Sequence, residues 1–351
     1  MPVAGPIVVL EGPDGGGKSH LAGRFERLGY ANVHLGAPER PAYEHWIAAV
    51  RDTEGPTVFD RLHVGSYAYG HAFRGMDDLT THQRWLLDGA LLAADALMVY
   101  VRPGDDTLDR VLMHDRPPQG AEAVHYEQLD KQREVRARYD RFAEERLTDL
   151  PIYTYARDRY VPGSRRPIGT DRSESVAEVV DGLLRGRDHP RVVTGDAPAL
   201  GNNRTPRYVF VGDEPHGLTK ARAFARRHKL DVYTFCRVWA RAYGTEPTVF
   251  NSTSGQYLHT ALRTAGLRLS DYLVVNATQP DESRLRDHLD PAAVPGRTWV
   301  ALGANAAREL EACDVPFRTV PHPQYVRRFH HRRGLIEYPE ALLGTREWRT
   351  F

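Results

Sequence analysis

The sequence predicts two α/β domains, each built on a largely parallel sheet. Three observations carry that prediction. The 351 residues exceed what a single hydrophobic core normally organises. Short apolar runs alternate with amphipathic stretches in both halves, the pattern of strands joined by helical crossovers. Between the halves, residues 185–206 read RGRDHPRVVTGDAPALGNNRTP, rich in Pro, Gly, Asn and Asp and without apolar periodicity, which marks a linker. The expected boundaries are 1–187 for the first domain, 188–206 for the linker and 207–351 for the second domain. No internal repeat is visible.

In the first half PIVVLE (6–11) reads as a buried strand, followed by a glycine-rich loop and a helix over about 18–28. TVFD (57–60) is the next strand. A helix over about 80–96 leads into the strand LMVYV (97–101), and a further helix over about 105–113 into the polar loop HDRPPQG. A long helix over about 126–145, the strand IYTY (152–155) and a helix over about 174–184 close this half. In the second half YVFVG (208–212) is a strand ending on a special turn, followed by a basic helix over about 219–228. YLVVN (272–276) and TWVALG (298–303) are further buried strands.

Composition excludes several classes. Hydrophobic content of 41% and charged content of 26% fit an ordinary soluble globular chain. No stretch approaches the roughly 18 apolar residues of a membrane span, and the N-terminal apolar run has no basic region before it, so no membrane partner is expected. Cys236 and Cys313 cannot make a disulfide framework and sit in no metal-ligand spacing, so both are expected as apolar fillers in a reducing cytoplasm. The formal net charge of +1 hides an asymmetry. From Arg207 onward there are 21 Lys and Arg against 15 Asp and Glu, leaving the first 206 residues net acidic. A basic half points to DNA as a partner on that side.

The strongest local signal is Gly12-Pro13-Asp14-Gly15-Gly16-Gly17-Lys18-Ser19, which fits G-x-x-x-x-G-K-[ST] between a predicted strand and a predicted helix. Glycines are needed because backbone N–H groups must turn inward around phosphates, through conformations closed to other residues. This chemistry implies ATP and Mg²⁺, with Lys18 reaching the β- and γ-phosphates and the Ser19 hydroxyl holding the metal. An acidic residue at the neighbouring strand end, Asp60, can hold the metal or its water, and Arg61 can clamp phosphate.

EGPDGGGKS, with Glu11 before the first glycine and Asp14 inside the loop, resembles the P-loop of thymidylate kinases and related deoxynucleoside kinases. FDRLHVGSYAYGHAFRG, carrying Asp60-Arg61, resembles the same family's Asp-Arg segment, and LDRVLMHDRPPQG resembles its lid. The resemblance covers roughly residues 6–186. It implies a P-loop kinase sheet, with Arg110 and Arg116 as lid arginines, although this chain has Arg116-Pro117 where family lids more often read Arg-Gly. Glu11 is either a base toward a hydroxyl acceptor or an organiser of metal and loop. Tyr67, Tyr69, Arg74 and Trp85 are candidates for the acceptor pocket.

In the second half Val211-Gly212-Asp213-Glu214-Pro215-His216-Gly217 resembles the first motif of the uracil-DNA glycosylase superfamily. Phe250, Asn276 at a strand end and His322-Pro323 follow in that family's order. The resemblance, over about 207–335, implies a three-layer α/β/α domain. In it Asp213 and Glu214 would position water, Phe250 would stack on a base, Asn276 would read its edge and His322 would hydrogen-bond its carbonyl. Arg327, Arg328, Arg332 and Arg333 would meet phosphates. The acidic motif departs from the common forms, and cluster-binding cysteines are absent.

Three functional readings follow. The first is a kinase of a free deoxypyrimidine nucleotide or nucleoside. The second is a kinase of a modified pyrimidine such as 5-hydroxymethyluracil within DNA, as in viral DNA hypermodification. The third is a DNA-binding adaptor carrying a nucleotide switch. Oligomeric state stays open.

Overall fold

The computed structural model describes residues 5–36, 42–104, 108, 122–157, 173–186, 191–194, 199–213, 218–229, 252–279, 283–290 and 293–348. The chain divides into two compact units, one of Val3–Leu87 and Ala94–Asp188, the other of Asp88–Ala93 and His189–Phe351.

The first unit holds a five-stranded parallel sheet. Its strands are β1 (Ile7–Glu11), β2 (Ala31–His34), β3 (Thr57–Asp60), β4 (Leu97–Pro103) and β5 (Ile152–Arg157), in the order β2-β3-β1-β4-β5. β1 and β3 are buried at every position. That is why they read as unbroken apolar runs: a parallel sheet covered on both faces exposes neither. The helices are α1 (Lys18–Arg27), α2 (Ala42–Arg51), α3 (His63–Tyr69), α4 (Thr81–Ala93, of which Asp88–Ala93 falls in the other unit), α5 (Glu122–Glu144) and α6 (Ser173–Arg185). Leu21 and Phe25 of α1 pack with Val176 and Val180 of α6 against Val8, Leu10, Val99 and Val101 of the sheet. α5 lies against α3 and β4.

β2 and α2 were not expected. β2 reads ANVH and is mostly exposed, so it lacks the apolar signal of a central strand. α3 runs on into a single π-helical turn, Gly70–Arg74, where a Cβ on Gly70 would lie 2.5 Å from the Met76 carbonyl oxygen. The helix expected over 105–113 lies outside the described residues apart from Leu108, and the polar loop after it lies wholly outside them.

β4 and α5 are joined by a polar cluster. Asp140 accepts from Tyr100 Oη at 2.7 Å and from Arg102 Nε and Nη2 at 2.7 and 3.1 Å. Burial pulls the Asp140 carboxyl upward. The hydrogen bonds from Arg102 and Tyr100 and the charges of Arg102 and Arg136 outweigh it and hold the carboxyl below its usual range. A carboxylate lowered in this way stabilises the fold above its unfolded value of about 4 and loses that contribution as pH falls through the lower folded value. Arg102 is well exposed, so Asp140→Asn is expected to remove only about 1 kcal/mol, read as a lower chemical-denaturation midpoint at pH 7. The difference should vanish at strongly acid pH.

The second unit holds another five-stranded sheet, in the order β10-β9-β7-β8-β6. β7 (Tyr208–Gly212), β8 (Tyr272–Asn276), β9 (Thr298–Leu302) and β10 (Phe317–Val320) are parallel, and β6 (Ala199–Gly201) pairs antiparallel with β8. β6 lies inside the stretch read as linker. Leu200 is buried, Val193 bridges to Leu289, and the Asn203 side chain both accepts from and donates to the Val193 backbone. A three-residue strand is too short to show periodicity, so only pairing reveals it. The helices of this unit are α7 (Leu218–Arg227), α8 (Thr253–Thr264), α9 (Ala304–Ala312), α10 (Pro323–Phe329) and α11 (His331–Leu343). Cys313 is half-buried, and burial pushes its thiol up; Cys236 lies outside the described residues. Among the described residues no helix is long and apolar enough to cross a membrane.

Candidate functional site

The first candidate site grows out of the end of β1. Gly12 has φ 148°, and a Cβ there would stand 2.3 Å from the Val101 carbonyl oxygen, so only glycine fits. Gly15 and Gly17 hold φ of 75° and 92°, the left-handed region. Gly17 caps α1 with no side-chain hydrogen bond. The first-turn N–H groups of α1 therefore face the loop without a side-chain cap, the arrangement that favours an anion. Lys18 is only 5% exposed, and its ammonium donates to the carbonyls of Gly12 and Pro13 at 2.7 and 2.8 Å. A strand, this loop and a helix in sequence are the P-loop arrangement.

Ser19 and Asp60 meet beside the loop. Register places Asp60 level with Leu10 of β1 and His34 of β2. Ser19 Oγ donates to Asp60 Oδ2 at 2.7 Å, and His34 Nδ1 lies 3.2 Å from the same oxygen. The other oxygen, Oδ1, is buried and has no hydrogen-bond partner among the described residues. A buried carboxylate oxygen left unpaired is costly unless something else satisfies it. Together with a serine hydroxyl it is a hard-oxygen set suited to Mg²⁺, which keeps several waters and takes its remaining ligands from phosphate. Among the described residues no cluster of three or more His, Cys, Asp or Glu could hold a metal alone. A phosphate-assisted Mg²⁺ site needs none.

Asp14 and Arg61 also come together. Arg61 Nη2 donates to Asp14 Oδ1, and its guanidinium lies 5.1 Å from the centroid of the Tyr69 ring. Arg61 holds φ 78°, a strain of about 1–3 kcal/mol for a side chain of this size, and such strain collects at functional sites. Glu11 is fully buried. Its Oε1 accepts from the backbone N–H groups of Leu62 and Gly65 at 3.0 and 3.3 Å, and its Oε2 from Tyr139 Oη at 2.8 Å. Oε1 thus pins the start of α3, and Oε2 is taken by Tyr139 of α5. Burial, then the Glu11 charge, pushes the Tyr139 phenol well up, so it stays a donor.

Two residues of this site escaped the sequence reading, Gln132 and Tyr139 of α5. Asp14 N donates to Gln132 Oε1, and Gln132 Nε2 donates to Asp14 Oδ2, each at 3.3 Å. Neither residue belongs to a motif. Their seven-residue spacing on one helix face was the available signal.

The acceptor-pocket candidates are dispersed in role. Tyr69 lies under Arg61 and stacks on Phe73 at 5.9 Å. Tyr67 sits under Arg84 and against Phe142. Arg74 pairs with Asp78, and Trp85 is buried and stacked on His82 at 5.3 Å. Arg110 and Arg116 lie outside the described residues.

In the second unit, candidate residues gather at the C-terminal ends of the parallel strands. The strand order reverses between β7 and β9, the position where open α/β sheets form a binding crevice. Asp213 follows β7, Gly303 follows β9 and His322 follows β10. A Cβ on Gly303, whose φ is 107°, would lie 3.3 Å from His322 Cβ and 3.4 Å from Asp213 Oδ1. Asp213 Oδ1 accepts from the Ala306 N–H at 3.3 Å, at the start of α9. His322 caps α10, with Nδ1 accepting from Gln324 N at 3.2 Å.

Burial lowers the pKa of His322, and the Asp213 charge only partly opposes it. The native state therefore favours the neutral ring. Stability from this source is complete above the unfolded value of about 6.5 and is lost as pH falls through the lower folded value. Melting temperature should drop as pH falls below about 6.5, and His322→Asn, which keeps a capping acceptor, should lack that component.

Asn276 ends β8 at 2% exposure, with Nδ2 unpaired among the described residues. Gln279, 1% exposed and also missed from sequence, donates from Nε2 to the Asn276 carbonyl at 2.8 Å, and its Oε1 has no partner among the described residues. Glu214 and Phe250 lie outside the described residues. Of the basic residues, Arg333 pairs with Glu337 and covers Trp348, whereas Arg328 and Arg332 are exposed beside Phe329 (69% exposed) and Ile336 (70%).

No protein-family model and no curated protein matches the chain. Among solved structures it is similar to the YorR protein from Bacillus subtilis in complex with phosphorylated GDP, at 19% identity over 51% of this chain and 95% of that one, with a TM-score of 0.39. It is also similar to deoxyadenosine kinase from M. mycoides with bound dCTP, at 14% identity over 51% and 99% and a TM-score of 0.32. A third is shikimate kinase from Acinetobacter baumannii with shikimate, at 15% identity over 53% and 95% and a TM-score of 0.31. Each covers about half of this chain. At these scores no assignment is built on the likeness, and the weight rests on the residues themselves.

Proposed function

We propose that the first unit is an ATP- and Mg²⁺-dependent phosphotransferase of the deoxynucleotide kinase class, acting on a deoxypyrimidine nucleotide or nucleoside. The observation that carries this reading is the convergence of Lys18, Ser19 and Asp60 on one glycine loop, with Asp60 Oδ1 buried and unpaired. Ser19 and Asp60 would hold Mg²⁺, which when bound would supply charge neutralisation at the phosphates. Lys18 exchanges its loop carbonyls for phosphate oxygens. Arg61, which pairs with Asp14 of the loop, would exchange it for the transferred group. Glu11 acts mainly as an organiser, since both of its oxygens already accept hydrogen bonds.

The second unit is read as a base- or DNA-binding unit of the uracil-DNA glycosylase type. This supports a second acceptor, a modified pyrimidine such as 5-hydroxymethyluracil within DNA. The observation in its favour is the exposed surface of α10 and α11, on which Arg328, Phe329 and Arg332 are all exposed. Exposed aromatics among arginines suit stacking on bases beside phosphates.

One experiment separates the two. Purified protein receives γ-labelled ATP and Mg²⁺ with dTMP, thymidine, DNA containing thymine, or DNA containing 5-hydroxymethyluracil. Label in a mononucleotide alone supports the first acceptor and excludes the second. Label in DNA alone does the reverse. No transfer to any acceptor, with ATP still bound, leaves the nucleotide-switch adaptor as the better reading.

A further inference from the structure

We infer, resting on the phosphotransferase reading above, that Gln132 is a positioning residue that sets the Lys18 ammonium through a single peptide plane. The Pro13 carbonyl and the Asp14 N–H belong to one peptide unit and point in opposite directions. The carbonyl receives Lys18 Nζ at 2.8 Å, and the N–H is held by Gln132 Oε1 at 3.3 Å. An N–H held on that side cannot rotate toward the phosphates; together with the Gly16 N–H, which donates to the Pro13 carbonyl at 3.2 Å, Gln132 holds the direction in which that carbonyl faces.

The clasp has a second point. Gln132 Nε2 donates to Asp14 Oδ2, while Arg61 takes Asp14 Oδ1. Two helical turns later on α5, Tyr139 holds Glu11, the residue before the loop. The helix thus grips the loop at its start and at its interior. Gln132 is buried, so water does not compete freely for its amide.

The test is Mg-ATP affinity of the full chain by titration calorimetry, well below the melting temperature of each variant. Gln132→Met keeps the length and removes both hydrogen bonds. It is expected to weaken binding by about tenfold, the size of losing a hydrogen-bonded clasp to a charged group. Gln132→Glu sets a carboxylate against Asp14 and should weaken binding at least as much. Adding Asp14→Asn to it restores the two-point clasp, the new amide now donating to the carboxylate, and affinity should rise above that of either single variant. A merely structural role would not produce that rescue. Wild-type-like affinity in Gln132→Met, or no rescue in the paired variant, overturns the inference while leaving the P-loop reading in place. Failure of the wild-type protein to bind Mg-ATP overturns the P-loop reading and this inference together.

Discussion

Lys18→Ala is expected to eliminate measurable phosphoryl transfer from ATP while the protein stays folded. Lys18 is buried in the glycine loop, and its ammonium donates to the carbonyls of Gly12 and Pro13. Phosphate oxygens are stronger partners for an ammonium than carbonyls are. Removing it withdraws a full positive charge from the position where negative charge develops. A loss of at least about 1000-fold in turnover is expected, by analogy with single electrostatic donors elsewhere. Labelled-ATP transfer measures activity, and circular dichroism with thermal melting checks the fold. Transfer surviving within tenfold of wild type would overturn the P-loop reading itself.

Asp60→Asn is the second large effect, and its signature has two opposed parts. The carboxylate is buried at the end of β3 with Oδ1 unpaired, an arrangement that stability alone does not favour. The amide keeps the shape and an oxygen toward Ser19 but removes the charge that would attract Mg²⁺. Transfer should fall by about 100-fold or more, only partly recovered by raising Mg²⁺. In the absence of metal and nucleotide the variant should melt no lower than wild type, and stabilisation by Mg-ATP should shrink, since that stabilisation follows ligand affinity. A variant that melts much lower without ligand, with full activity, would make Asp60 a structural residue.

The glycine loop was legible from the sequence because its requirements are local. Gly12, Gly15 and Gly17 are dictated by backbone angles and by the approach of the Val101 carbonyl, and a strand and a helix must flank them. Asp60-Arg61 was legible for the same reason, at the end of an apolar run. The buried strands of both sheets could be read because each face is covered and the apolar run is continuous. Long-range pairing could not be read. β2 is polar and exposed, β6 is three residues long within a Pro- and Gly-rich stretch, and neither has a periodicity to detect.

The partners of the site belong to the same class of information. Nothing local marks Gln132 as the residue that holds Asp14, or Gln279 as the one beside Asn276. A glutamine in a long amphipathic helix and a glutamine after a strand are ordinary until the fold brings them to an acidic loop or a strand end. The same holds for Glu11. Its sequence position left base and organiser open, and the three donors around it occupy both carboxylate oxygens. Sequence by itself determined the glycine-rich loop between strand and helix, the strand-end acid and the two α/β units, because backbone conformation and burial period are written residue by residue. Only the tertiary structure decided which side chains hold that loop in shape, because hydrogen bonds across 118 residues, as between Asp14 and Gln132, exist only after the chain has closed on itself.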